Sequence, residues 1–275
     1  MLRRMFIGAL ALAAALLATL AGASAFEDSK YPDWRGMWSR IGGAGFDPDK
    51  PNGRGQQPPL TAEYRAFWEA NMAEQESGGQ GYNPQVRCLP GGLPRMMIVY
   101  EPGMEVLIQP EKTIIYISFN SYFRQIHTDG RRWPSEIVPS FSGYSIGRWI
   151  GENADGRYNV LEVETRGLKG PRLFEASGIP FHRDNQTVVM ERISLDPADS
   201  NILRDEVTVF DHALMHPWTV TRSYRRDRDP LWVEHFCAEN NQYVFLRNET
   251  YFLSADGYLM PTKKNQAPPD LKHFK

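Results

Sequence analysis

From Met104 onward the chain alternates apolar and polar residues in short runs broken by turn-forming residues. "MEVLIQ" and "KTIIYISFN" flank Pro110, and "YFRQIHT" stops at Asp129-Gly130. "YSIGRWI", "RYNVLEVET", "TVVMERISL", "ILRDEVTVF", "WTVTRSYRR" and "YVFLRNETYF" follow. In "WTVTRSY", Trp218, Val220, Arg222 and Tyr224 share one face while Thr219, Thr221 and Ser223 share the other. A strand turns successive side chains to opposite faces, so this period predicts antiparallel strands with one face toward a core or cavity. About nine such runs with meander-length connections favour an all-β up-and-down barrel or a sandwich over any α/β fold.

The segment from Phe26 to Gly103 reads differently. "GGAGFDPDKPNGRGQQPPL" is rich in Pro and Gly, as expected of an arm laid over a surface. One helix interrupts it, at about residues 62–76. Thr61 stands at its N-cap, Glu63 in its first turn, and Tyr64, Phe67, Trp68 and Met72 at helical spacing. The barrel is expected over 104–255, and 256–275, with "NQAPPDLKHFK", as a surface strap or disordered tail.

Arg3 and Arg4, an Ala/Leu-rich run from Phe6 to Leu20, and Ala23-Ser24-Ala25 read as a secretory signal peptide cut after Ala25. No later run has the length of a membrane span, so a periplasmic or secreted protein is expected. The formal net charge of −2 and pI near 6.3 argue against a nucleic-acid partner, which needs a basic surface. Cys88 and Cys237 are the only cysteines. In an oxidising compartment they are expected to pair, stapling the arm to a late segment. The competing reading, a catalytic thiol, needs an activating base that the sequence does not identify.

Five places carry candidate chemistry. "SGYSIGRW" has the G-x-S-x-G spacing of a nucleophile elbow at Gly143, Ser145 and Gly147. Pro139 upstream and Gly151, Asn153 and Gly156 downstream suit strand ends, not the strand-to-helix turn an elbow requires. Ser145 is therefore read as a strand residue beside close-packing glycines. "RQIHTDGRRWP" gathers Arg124, His127, Asp129, Arg131 and Trp133. It is either a hairpin end with charged flanks or a barrel mouth where His127 exchanges a proton and Arg131 holds an oxyanion. His212 and His216 would lie about 13 Å apart on an extended strand, too far for one ion, so no metal is expected. Glu191 and Arg192 occupy opposite faces of their strand, and whichever points inward needs a partner. His182, in the loop before that strand, is a candidate to cover the same mouth.

"DWRGMW" places Gly36 and Trp38 in the G-x-W arrangement that resembles the first strand of lipocalin-like barrels. More specific is the set "RCLPGGLPRMM", "IHTDGRRWP", "SIGRWIG", "HPWTVTRSYRR" and "EHFCAEN". Over roughly residues 30–250 it resembles a family of exported bacterial proteins of unassigned activity, typified by T-D-G-R-x-x-P, G-H-S-I-G-R-W, P-W-T-V and C-x-E-N segments. The resemblance implies export and a barrel, and highlights His127, Asp129, Gly130, Arg131, Ser145, Gly147, Arg148, Trp149, Trp218, Cys88 and Cys237. This chain departs from the pattern at Tyr144, where the family has histidine.

The expectation is thus an antiparallel lipocalin-like barrel with an N-terminal helical arm, binding a small apolar or aromatic, terpenoid- or steroid-like molecule in its cavity. Tyr144, Arg148, Trp149, His182, Glu191 and Trp218 are the candidate ligand-binding residues. The alternative is a lyase, isomerase or hydratase using His127 as general acid/base, Asp129 to orient it and Arg131 to polarise the substrate. A purely structural or partner-binding barrel is a third reading. No Gly-rich phosphate loop or dinucleotide fingerprint points to a nucleotide cofactor, and none is expected.

Overall fold

The computed structural model describes residues 28–98, 103–151, 155–231, 233–247, 249–270 and 272; the candidate signal peptide lies outside them. Nine strands close into a barrel in chain order: β1 (Met37–Ile41), β2 (Met104–Ile108), β3 (Lys112–Ile117), β4 (Tyr122–His127), β5 (Tyr144–Ile150), β6 (Val160–Arg166), β7 (Val188–Leu195), β8 (Ile202–Phe210) and β9 (Trp218–Asp227). β9 pairs back onto β1, with Ser39 opposite Arg225. Strands that only alternate direction cannot close a ring with an odd count, so one neighbouring pair must be parallel. That seam is β4–β5, where Ile126 faces Ser145 and His127 faces Ile146. A parallel return cannot be made by a tight turn, and residues 128–143 supply the longer crossover.

β1 comes from the Pro/Gly-rich arm, so the barrel draws on both sides of the composition change near residue 103. "YVFLRNETYF" folds as a hairpin outside the barrel, β10 (Tyr243–Leu246) and β11 (Glu249–Leu253), with β12 (Leu259–Pro261) as third strand. The disulfide Cys88–Cys237, with Cα atoms 5.6 Å apart, ties the arm to the segment leading into that sheet.

Helix α1 (Ala62–Glu76) buries Tyr64, Trp68, Asn71 and Met72, while Phe67 stays exposed. Thr61 is at the N-cap, but its side chain makes no cap bond; its N–H donates to Ala213 O (2.9 Å), fixing the helix to the β8–β9 turn. Asn71 Nδ2 donates to the carbonyls of Ser177 (3.1 Å) and Gly178 (3.3 Å). Gly178 has φ +88°, and a Cβ there would collide with Asn71 Nδ2, so only glycine lets helix and loop approach this closely. A second, short helix, α2 (Arg95–Ile98), is buried throughout.

Buried apolar side chains from the strands and the arm form one core cluster in the barrel. At one end Trp34, Trp149, Tyr31 and Tyr158 pack together, with Trp34 and Trp149 centroids 4.9 Å apart. At the other, Phe46, Phe174, Phe181 and Trp218 form a second aromatic plug, with Phe46 4.5 Å from Trp218 and Phe174 stacked on Phe181 at 4.1 Å. Trp38 is fully buried; its Nε1 donates to Trp34 O (2.9 Å), and the Arg226 guanidinium lies 4.6 Å over its ring.

Candidate functional site

Between the aromatic plugs lies a belt of polar side chains, one or two from each of several strands. Arg124 on β4 forms a two-pronged ion pair with Glu191 on β7, at 2.7 and 2.5 Å, and both are buried. The same guanidinium donates to Ser145 Oγ (3.1 Å) and Thr165 Oγ1 (2.8 Å), which bond each other at 2.8 Å. Ser145 is thus locked in the core, and its side-chain partners among the described residues are Arg124 and Thr165, with no histidine among them. Of the pair in "VVMERIS", Glu191 points inward; Arg192 points outward and donates to Glu162 Oε1 (2.9 Å). Arg222 on β9 donates to the Gly45 (3.0 Å) and Gly43 (2.9 Å) carbonyls. Asp205 on β8 is completely buried, and among the described residues neither of its oxygens has a hydrogen-bond partner. Burial, followed by the charge of Glu191, drives its pKa well above the ordinary carboxylate value against the pull of Arg124 and Arg222.

His127 is on the outer face of β4, not at an interior mouth: its neighbours Arg124 and Ile126 take the buried positions, and its side stays half open. Its ring lies 4.9 Å from that of Tyr144, itself 6.0 Å from Trp133. Asp129 does not bond His127; its carboxylate receives Arg131, at 2.6 Å from Nη2, and is held down at about 2 by that contact. Burial first, then the Arg131 charge, lowers the His127 pKa below its usual value. Arg148, also outward, pairs with Glu162 at 2.7 Å. It borders a shallow, open groove on the outside of β5–β8, with Trp133 at one edge. Trp149 and Trp218 belong to the two plugs. The sequence candidates are therefore divided among the core, the outer wall and, for His182 alone, a cleft.

That cleft, about 650 Å³, opens between α1 and the loop from Gly170 to Asn185. Tyr64, Phe67, Tyr82, Phe181 and His182 give it aromatic walls, and Arg172 lies among them. The Arg172 guanidinium is 4.1 Å over the Phe181 ring and donates to Leu93 O (3.3 Å) and Thr187 Oγ1 (2.7 Å). Among the described residues no carboxylate comes within ion-pair distance of it. Burial pushes its pKa down to about 10, with the more distant Asp211 charge opposing. Asp211 ties the loop that carries His182 to the β8–β9 turn: its carboxylate receives the N–H groups of His182 (2.8 Å) and Ala213 (2.8 Å) and the Thr187 hydroxyl (2.5 Å).

At the rim His182, Asp184 and His212 converge. Asp184 Oδ2 lies 2.9 Å from His182 Nδ1 and 2.6 Å from His212 Nδ1. Burial works against the Asp184 charge, yet the Gln186 N–H and the two imidazoles hold its pKa down at about 2. His216 takes no part; its Nδ1 faces Pro217 O. No protein-family model matches this chain, and no curated protein matches it.

Sequence reasoning missed Arg172, Tyr64 and Phe181 as neighbours of His182. The helix and loop that carry them are about a hundred residues apart, and their meeting depends on the Asn71–Gly178 contact. It also weighed His212 only against His216, and set that pair aside as too far apart, when the partners of His212 are on another loop. Strand parity put Glu191 and Arg192 on opposite faces, and the structure selects Glu191 as the inward one that needs a buried partner.

Proposed function

We propose that this is an exported protein that binds a small aromatic or apolar molecule, in the cleft between α1 and the 170–185 loop. The carrying observation is the cleft itself: aromatic walls around about 650 Å³, with the buried cation of Arg172 among them. Ligand sites are concave and mostly apolar, with a few fixed polar groups that set orientation, and this cleft has that make-up. A cation without a carboxylate partner suits a ligand carrying one acidic or strongly electronegative oxygen group. Export is supported by the Cys88–Cys237 bond, which persists in oxidising compartments. Among the described residues no helix is long and apolar enough to cross a membrane.

Native mass spectrometry of protein purified from its host tests the reading. A small molecule retained by the protein and lost on Phe67→Glu is the expected result, since Phe67 is exposed on the cleft wall and its replacement leaves the core intact. A bare polypeptide mass, together with no thermal shift from a panel of aromatic and terpenoid acids, would overturn it.

A further inference from the structure

We propose that His182, Asp184 and His212 form a binding site for a divalent transition metal of the zinc class at the rim of the cleft. Two imidazoles and one carboxylate are a donor set that such ions take, with the remaining position left to water or a ligand. One donor atom from each of the three residues lies within 4.8 Å of the others. Two donors on a tetrahedral zinc stand about 3.4 Å apart, given bonds of about 2.1 Å. The present separations of 2.6 and 2.9 Å are those of hydrogen bonds, so side-chain rotations that open them by about 0.5–0.8 Å, with the two imidazole donors drawn to a similar spacing from within 4.8 Å, let an ion replace the shared protons.

The surroundings prepare the donors for this. Asp184 Oδ1 receives the Gln186 N–H at 3.0 Å, which leaves Oδ2 facing the two rings. The Asp184 N–H lies 3.2 Å from His182 Nδ1, so an ion bound at that nitrogen takes over the lone pair that the N–H otherwise meets. The two loops that bring the histidines together are cross-tied by Asp211, which receives the backbone N–H of His182 from one loop and of Ala213 from the other. Such outer-shell ties hold donors in register before the ion arrives. His212 is largely exposed and His182 lines the cleft, so an ion here is reached from solvent and sits beside the cleft. There it can bind an oxygen donor of the ligand or polarise a carbonyl as a Lewis acid.

The site is tested without any organic ligand, so its failure and that of the cleft reading are separate. Tag-free protein is stripped with a chelator and titrated with Co²⁺, followed by the visible d–d bands, and then with Zn²⁺ in competition. Saturable binding of one Co²⁺, displaced by Zn²⁺, is expected. His212→Ala and Asp184→Asn each weaken it by more than the roughly 10–100-fold that loss of an outer-shell partner costs, and His216→Ala leaves it unchanged. His212→Ala removes an exposed side chain and keeps the fold, so it decides the question even where Asp184→Asn is unstable. Weak Co²⁺ binding equal in wild type and His212→Ala, or an equal loss in His216→Ala, overturns the site and leaves a hydrogen-bonded triad.

Discussion

Arg124 and Glu191 meet inside the barrel as a two-pronged ion pair, with side chains 1% and 0% exposed, joining β4 to β7 across the strands between them. Two charges moved out of water at this depth cost more than their attraction returns unless every polar atom is served. Ser145 and Thr165 help meet that requirement by bonding the same guanidinium.

Removing one partner strands the other. Glu191→Gln or Arg124→Met is expected to lower unfolding free energy by about 3–5 kcal/mol, whereas the double replacement Arg124→Met with Glu191→Leu recovers most of that loss. Urea unfolding of the singles and the double measures it. Additive losses in the double would show that the pair is not the unit of stability.

Asp205 gives the protein a pH dependence opposite to that of most carboxylates. Its folded pKa is raised by burial and by Glu191, above an unfolded value of about 3.9. The native state therefore holds a proton that the unfolded chain releases. The stability this contributes is complete below about pH 4 and is lost as pH rises toward the folded pKa, by up to about 1.4 kcal/mol per pH unit. Asp205→Asn, which carries no such proton, is expected to flatten the fall in the urea midpoint between pH 5 and pH 8. An unchanged slope would mean that Asp205 is ionised in the folded state.

Gly147 is expected to resist even a methyl group. A Cβ there would stand 2.6 Å from Ile126 Cγ2 and 3.1 Å from Leu161 Cδ1, between β4 and β6. Overpacking of this kind costs about 1–3 kcal/mol, so Gly147→Ala should lower the thermal midpoint by several degrees. A midpoint equal to wild type would show that the parallel seam has slack.

The disulfide closes a loop spanning 149 positions. In the chain-entropy account a loop this long is worth up to about 5 kcal/mol. Cys237→Ser is expected to lose a substantial part of that and to free the three-stranded sheet first, because that sheet is outside the barrel. Limited proteolysis should then cut between Asp227 and Tyr243 before any site in β2–β9. Simultaneous cleavage across the barrel would show that sheet and barrel unfold together.

The strand pattern made the barrel legible because burial on one face imposes a two-residue period that survives in the sequence, as in Trp218, Val220, Arg222 and Tyr224, all inward on β9. It equally told that one of Glu191 and Arg192 needs a buried partner. It did not tell that "YVFLRNETYF" leaves the barrel, since that run carries the same local signal as the strands inside it and only the closure of the ring selects between them; the entry of "MWSRI" was marked only by the resemblance of Gly36-x-Trp38 to a first barrel strand. Nor did it say that His127 is outside: parity fixes which residues share a face, and the core decides which face is in.

The sequence by itself determined the strands, the helix over 62–76 and the pairing of the only two cysteines, because these follow from periodicity and from a count. Only the tertiary structure decided where a site can be. Aromatic residues that local pattern marks for a cavity, Trp149 and Trp218, fill the barrel ends, since a closely packed interior excludes the space a ligand would need. The cleft and its rim of His182, Asp184 and His212 exist because segments far apart in the chain fold against each other, and no local interaction records that distance.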